Sequence, residues 1–405
     1  MKEKKSIRSR PSIGYINPPV LLKRPISDIS SRLSKQGYKT NVLIPKKLFR
    51  HVDSSLHHCG LLKYSKVYTY SIINPPFIDS EQPLPVTPVF CINSWKMMKH
   101  SDIIHMWVPY YLTSLKIIFA KKLFFPKKKL ILTMDTIPGY SFSMGKRWDK
   151  IFRIYNRLFG WLLFRTPDAI TLYGKSLVPY ALKAGVPKEK IRVLSTGVKI
   201  KPASQKANER SRQEIKDELK IKSDPVIVLF IGLVIPRKGI SKIIEMADKL
   251  RKDKGKKDDI IFLIVGDGPK RGEYEQQAKR LGLYGSVRFL GWRADTQRFF
   301  QASDIVVLPA EGEGLPGVIM EAMAAGLPCV ASDIPCIPDL IDDGKNGFLC
   351  KKDDVNAFAK RINELARDSN KRKKMGEEAR KKISGFEWDE VIEKYKGLYN
   401  ELMRR

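Results

Sequence analysis

The 405-residue chain predicts an α/β fold made of two doubly wound parallel sheets. Three observations carry that expectation. Short apolar runs alternate with amphipathic stretches. The alternation begins again after a polar, charged segment at 201–223. Glycine-containing turns follow the apolar runs in the second half, beyond the strand ends where such sheets take ligands. The length suits two or three domains with sizeable cores, and 43% hydrophobic residues mark a globular chain. No repeat of about 20–50 residues is visible, which excludes solenoids and propellers.

In the first half, strands fit 12–16, 40–44, 103–106, 130–133, 169–172 and 191–194. A helix fits 27–36, with Ile26, Ile29 and Leu33 on one stripe and Gly37 as its stop. In the second half, strands fit 226–231, 260–265, 287–290, 305–308 and 329–331, and helices fit 239–252, 271–281, 296–301 and 317–325. The segment 201–223 reads as a linker followed by a leading helix. The tail, with aromatics at Phe386, Trp388, Tyr395 and Tyr399, reads as a terminal helix packing on the body. The expected organisation is therefore 1–203, 204–385 and a C-terminal helix at 386–405, with two sheets facing a central cleft.

Composition removes several classes. The longest apolar run, 226–235, is short of the ~20 residues a spanning helix needs. Residues 1–10 are basic with no apolar core behind them, so a secretory signal is not expected. Five scattered cysteines without a Cys-x-x-Cys pair argue against a disulfide scaffold or zinc ribbon, and for a reducing, cytoplasmic compartment. His57, His58 and Cys59 lack a fourth ligand at useful spacing and read as loop residues. Net charge is +32, and it is uneven: 35 basic against 10 acidic residues stand before position 200, and 40 against 33 after it. Such a first half suits an anionic partner, either nucleic acid or an acidic membrane surface.

The most informative stretch follows the strand ending at Leu308. A Gly/Pro-containing loop carries Glu313, Gly314, Leu315 and Pro316, and a helix opens near Gly317 with Glu321 on its first turns. Free N–H groups at that helix start are a seat for phosphate, aided by the helix dipole. One carboxylate can reach a ligand beyond the phosphates, and the other can hold a sugar's hydroxyl pair. After another strand, Gly232 begins a turn that leads to Arg237, Lys238 and Gly239, whose two cations could neutralise a diphosphate. A third strand ends in Gly266, Asp267, Gly268 and Pro269, a tight turn that admits a ligand close to the backbone. Each of these features alone would be an ordinary loop acid, surface lysine or turn; together, at the ends of successive strands, they read as one site.

At this point the second half resembles the retaining glycosyltransferases of family 4, with the two-domain GT-B fold. The likeness rests on Glu313 spaced by seven residues from Glu321, on Glu321-Ala-Met-Ala-Ala-Gly-Leu-Pro328 and on Pro236-Arg-Lys-Gly239. It also rests on Val265-Gly-Asp-Gly-Pro269, Val287-Arg-Phe-Leu-Gly291 and Asp342-Asp-Gly-Lys-Asn-Gly-Phe-Leu349. The first half matches more loosely, through 102–109 and 185–193. The chain departs at Asn17-Pro-Pro-Val20 where the family has a glycine-rich loop, at Met134-Asp135 for a histidine, at Thr196-Gly-Val-Lys199, and, in the second half, at Leu233 for an arginine.

The resemblance implies that Glu313 contacts donor sugar hydroxyls and Glu321 the nucleotide ribose. It implies that Lys238, with Arg237, stabilises the leaving diphosphate, and that backbone from Leu315 to Gly317 cradles the distal phosphate. The base would lie near Trp292 and Arg293. Fixed cations and helix N–H groups supply that charge stabilisation without a metal, and the chain has no Asp-x-Asp, so no metal or other cofactor is expected beside the nucleotide-sugar co-substrate. Asp135 reads either as a base or acceptor ligand or as a helix N-cap. His105, at a strand end, reads either as a cleft-facing acceptor-side residue or as a satisfied core histidine.

The charge has a pattern of its own. Lys146, Lys150, Arg153 and Arg157 fall at offsets of one helix face, with Trp148, Ile151, Phe152, Tyr155, Leu158, Phe159 and Leu162 opposite. Upstream, Lys116, Lys121 and Lys122 alternate with apolar residues, and Lys127, Lys128 and Lys129 form a block. These cations suit an anionic membrane surface met peripherally from the cytoplasmic side; the competing reading is ordinary helices burying their apolar faces in the core. The expectation is thus a transferase acting on a lipid-linked or glycan acceptor near a membrane. The rivals are a nucleotide-sugar epimerase or glycogen-type synthase on the same fold, and a nucleic-acid-binding protein. The last would need stacking motifs or a recognition helix, and neither is visible, so no nucleic-acid partner is expected.

Overall fold

The computed structural model describes residues 10–16, 24–45, 64–70, 88–110, 112–143, 145–200, 204–254 and 260–405. The turn at 17–20, the His57–Cys59 group and the linker start at 201–203 lie outside the described residues. The chain divides into two compact units. The first comprises residues 1–173, 177–196 and 389–405; the second comprises 174–176 and 197–388.

Among the described residues, the first unit has one parallel sheet of seven strands in the order β3-β2-β1-β4-β5-β6-β7. These are β1 (Ile13–Ile16), β2 (Thr40–Pro45), β3 (Lys66–Tyr70), β4 (Ile103–Trp107), β5 (Lys129–Met134), β6 (Ala169–Leu172) and β7 (Ile191–Val193). β1, β2, β4 and β6 are buried at every residue, the pattern of a parallel sheet covered on both faces. Edge strand β3 was not expected: its sequence, Lys-Val-Tyr-Thr-Tyr, lacks a continuous apolar run. The helix Pro88–Lys99 was likewise unforeseen. Further helices span Arg24–Lys35, Leu112–Phe124, Lys146–Arg165 and Val178–Lys183.

The terminal helix Trp388–Arg404 buries Val391, Ile392, Tyr395, Leu398, Tyr399 and Leu402, a stripe at three- and four-residue spacing. Its Tyr399 hydroxyl completes a polar chain inside the first unit. His105 Nδ1 lies 2.9 Å from Tyr399 Oη, and His105 Nε2 lies 2.7 Å from Thr133 Oγ1. Thr133 continues to Thr171 at 2.6 Å, and Tyr399 to Tyr15 at 3.2 Å. His105 is fully buried, with its ring stacked 4.1 Å from Trp107. This corrects the acceptor-side assignment of His105: it is a core residue with both ring nitrogens satisfied, because β4 lies in the sheet interior rather than at a cleft.

The second unit carries a six-stranded parallel sheet, order β10-β9-β8-β11-β12-β13. Its strands are β8 (Val226–Ile231), β9 (Ile260–Val265), β10 (Val287–Gly291), β11 (Ile305–Leu308), β12 (Cys329–Ser332) and β13 (Gly347–Cys350). Helix Gln205–Glu218 precedes them, Ile240–Lys254, Arg271–Arg280, Thr296–Ala302 and Gly317–Ala325 connect them, and Val355–Arg367 and Ser369–Ile383 follow. The leading helix is tied down by charge: Asp304, just before β11, accepts from Ile227 N at 2.8 Å and from Arg212 at 3.0 Å. Strand β13 and the helices Val355–Arg367 and Ser369–Ile383 were not anticipated; the strand opens on glycine directly after the turn-forming residues 342–346, and Ser369–Ile383 is largely polar. The strand order reverses between β8 and β11, which pair in parallel with Ile305 opposite Val228. Among the described residues no helix is long and apolar enough to cross a membrane.

The buried histidine has a consequence for pH. Burial lowers the His105 pKa to about 3, from an ordinary 6.5. The unfolded chain therefore takes up a proton near pH 6.5 that the folded chain refuses until about pH 3. The stability contributed by the neutral ring is complete above pH 6.5 and is lost as pH falls through that window, by up to about 1.4 kcal/mol per pH unit. Urea titrations at stepped pH should show this loss, and His105→Gln should flatten it while lowering stability at neutral pH.

Candidate functional site

The site is built in the second unit, where β8 and β11 lie side by side and the loops after them meet. This reversal of strand order is where open α/β sheets bind ligands, beyond the carboxyl ends. The loop after β8 turns through the 3₁₀ segment Pro236–Lys238 and then Gly239, which has φ 75°. A Cβ on Gly239 would stand 2.1 Å from the Pro309 carbonyl oxygen, so only glycine allows the β8 and β11 loops to touch. Arg237 then bonds across: its carbonyl accepts from Glu311 N at 2.9 Å, and its guanidinium donates to Gly312 O at 2.7 Å.

Lys238 and Glu313 meet in this junction as a short ion pair, both largely shielded from solvent. A cation and a carboxylate from separate loops thus share one point at the switch of the sheet. Directly beyond Glu313, Gly314, Leu315 and Pro316 lead into the helix Gly317–Ala325, whose N-cap, Pro316, makes no side-chain capping bond. The first N–H groups of such a helix have no intrahelical partner and face outward with the positive end of the dipole. Glu321 is the fifth residue of this helix and half-buried.

The β9 loop is laced to the same junction. Gly232 N donates to Val265 O at 3.0 Å, Val234 N to Asp267 O at 3.0 Å, and Gly266 N to Gly291 O at 2.7 Å. A Cβ on Gly266 would stand 1.8 Å from Gly232 O, and one on Gly268 2.4 Å from Val234 O. Asp267 accepts from Gly268 N at 2.8 Å, which fixes its own turn. The expected residues Gly232, Arg237, Lys238, Gly266, Asp267, Gly268, Glu313, Gly314, Leu315 and Pro316 therefore lie on loops joined by direct contacts, and Gly317 and Glu321 lie on the helix that continues from the last of them.

The loop after β10 is arranged differently from its two named residues. Trp292 is exposed, while Arg293 turns to Asp295 at 2.9 Å and Glu218 at 2.5 Å, with its guanidinium over the Phe299 ring. The Arg293 bonds hold Asp295 well below the usual carboxylate range. Arg293 thus braces the loop, and Trp292 supplies its open aromatic face.

In the first unit, Asp135 stands half-buried just beyond β5. The helix that follows begins at Lys146 with Gly145 as its N-cap, which removes the N-cap reading of Asp135. Burial pushes the neighbouring Tyr110 phenol up, and Asp135 adds to that shift. Buried Asn156 faces the same phenol, and Val108 nearby takes φ 60°, strained for a β-branched residue. Sequence reasoning missed Val108, Tyr110 and Asn156; the available signal was one amide among the apolar residues of 146–165. The basic residues also divide. Lys121 is buried against Asp168 at 3.6 Å, so it is not membrane-facing: its chain is drawn inward by the acid. Lys128 and Lys129 are half-buried near Asp102 and Asp168. Lys116, Lys122, Lys127, Lys150, Arg153 and Arg157 are exposed, though Arg153 also donates to Gly139 O at 3.0 Å. Among the described residues, no cluster of three or more His, Cys, Asp or Glu side chains could hold a metal ion.

Residues 211–382 match the family model described as glycosyl transferases group 1. An uncharacterised glycosyltransferase of Methanocaldococcus jannaschii is 25% identical over 406 residues, covering 96% of this chain and 97% of that protein. The UDP-Gal:α-D-GlcNAc-diphosphoundecaprenol α-1,3-galactosyltransferase of Escherichia coli is 29% identical over 276 residues, 67% of this chain and 69% of that one. Several other curated relatives are matched over about half their length. Among solved structures, Anabaena HepE in complex with UDP-glucose superposes with TM-score 0.76 at 19% identity, covering 97% of this chain and 100% of that one. The shared architecture is the GT-B fold.

Replacing Gly239 with alanine should cost about 1–3 kcal/mol in the denaturation free energy, since the left-handed backbone and the Pro309 contact both resist a side chain. The same substitution at Gly272, where a Cβ meets nothing within 4 Å, should leave stability nearly unchanged.

Proposed function

With residues 211–382 matching the group 1 glycosyl transferases, we propose that this protein is a retaining, metal-independent family 4 glycosyltransferase. It moves a sugar from a nucleotide-sugar donor to a lipid-linked or membrane-proximal acceptor, working peripherally on the cytoplasmic face of an anionic membrane. The observation that carries the reading is the Lys238–Glu313 pair at the β8/β11 switch, set against the uncapped start of Gly317–Ala325. A diphosphate fits there because N–H groups and Lys238 present positive charge in one place. As the sugar–phosphate bond breaks, negative charge grows on the departing oxygen, and a cation already held in position stabilises it without reorganisation. Glu313, beside that cation, accepts hydrogen bonds from donor sugar hydroxyls, and Glu321 takes the ribose hydroxyl pair. Asp135, at the end of β5 beside Tyr110, is the acceptor-side group. The E. coli relative's name, which joins a UDP-sugar to a diphosphoundecaprenol-linked acceptor, supports the class of both substrates.

Lys238→Ala and Glu313→Ala should each lower transfer by about 100-fold or more in chelator-containing buffer while the protein stays folded. Radiolabelled donor and a lipid-linked acceptor, followed by product separation, would measure it; full activity in either variant overturns the role given to that residue.

A thermal-shift panel of nucleotide sugars identifies the donor. A cognate donor at 100 times its Kd should stabilise the fold by about 2.7 kcal/mol. Incubation of that donor alone should return it unchanged; conversion of its sugar would favour an epimerase. Salt-sensitive RNA binding with no nucleotide-sugar shift would favour the nucleic-acid reading.

A further inference from the structure

The apolar side of the helix Lys146–Arg165 does not all turn inward. Leu162 is buried and Phe152 and Tyr155 are half-buried, yet Trp148, Ile151, Leu158 and Phe159 remain exposed. Two neighbouring helices of the same unit repeat the anomaly. Leu112–Phe124 exposes Phe119, Leu123 and Phe124, and Pro88–Lys99 exposes Ile92 and Trp95. Direct contacts join the three. Trp95 packs its ring edge-on against Phe124 at 5.1 Å, and Lys122 lies 4.8 Å above the ring of Trp161. Phe124, Leu158 and Trp161 each leave more than half of their surface open, which a monomeric soluble face rarely does in a contiguous patch.

We infer that these three helices form one surface that inserts its apolar side chains into the interface of an anionic lipid bilayer. The inference rests on the peripheral membrane location proposed above and replaces its purely electrostatic form with partial insertion. Charge selects the occupant. Apart from Lys121, which turns inward to Asp168, the three helices carry ten Lys and Arg residues against a single acid, Asp149, and that acid accepts from Ser143 at 2.6 Å. A second copy of this chain seated on the patch would oppose cations with cations. A lipid surface instead offers anionic headgroups to the cations and acyl chains to the aromatic rings at the same depth. Lys122 over Trp161 shows both components in one contact, a cation held at the rim of an open indole.

The test uses the full chain with vesicles of phosphatidylcholine alone or mixed with phosphatidylglycerol. Sedimentation should show binding to the mixed vesicles, with a fraction surviving about 1 M salt, where exposed charges are screened beyond about 3 Å. The triple variant Phe119→Ser, Leu123→Ser, Leu158→Ser should lose about tenfold or more in affinity. Chains brominated near the headgroup should quench tryptophan fluorescence, and Trp95→Phe with Trp161→Phe should reduce that quenching. Retained nucleotide-sugar thermal shift in each variant shows that it is folded. Unquenched fluorescence, binding abolished entirely by salt, or self-association of the wild type that the triple variant removes would each overturn insertion. Vesicle insertion without any nucleotide-sugar shift would leave this inference standing and remove the transferase reading, so the two fail separately.

Discussion

The close approach of the β8 and β11 loops is the constraint from which the candidate site follows. Parallel strands side by side send their next segments in opposite directions at the switch point, and both loops here must cross the same small volume. Gly239 lets one backbone pass against Pro309 of the other, and Gly266 and Gly268 do the same for the β9 loop against Gly232 and Val234. Side chains at these positions would push the loops apart. With them together, Lys238 and Glu313 meet and the helix Gly317–Ala325 opens beside them.

That geometry sets one charge pair beside the start of a helix. Lys238 is neutralised by Glu313 in the structure as it stands, so the junction is not an unpaired buried cation, which would be costly. The helix start next to it contributes N–H groups and a dipole rather than a formal charge. The polyanion proposed for this site would be met by one cation held in place by Glu313 and by several fixed dipoles. The arrangement leaves no uncompensated buried charge and keeps positive potential at the helix start.

The first unit spends its charge differently. Lys121 is folded inward against Asp168, and Lys128 and Lys129 stay near acids, whereas the cations of the exposed helices stand among open aromatic and aliphatic side chains. Inside the same unit, His105 and Tyr399 satisfy each other across a fully buried network. The contrast explains why an overall charge of +32 says little by itself. Its meaning depends on which cations are paired and which border apolar surface.

Much of this architecture was legible in the chain. Strands β8, β9 and β11 were visible as unbroken apolar runs because a parallel sheet buries both faces, and the glycines were visible because only glycine fits such close backbone contacts. Edge strand β3 was not legible because lysine, threonine and tyrosine interrupt its apolar residues, and β13 because it opens on glycine straight after a turn rich in Asp, Gly and Asn. Position along a strand also left His105 undecided: the alternation of residues shows that a side chain lies on a sheet, and only the packing of the terminal helix onto it puts Tyr399 against the ring. Asp135 lost its N-cap reading because Gly145, not Asp135, stands at the N-cap of the helix that follows β5. For the helices at 112–124 and 146–165, periodicity revealed apolar and basic positions but could not say whether another element covers them. Covering is a property of neighbours distant in sequence, and it was the tertiary structure that left Phe124, Leu158 and Trp161 open.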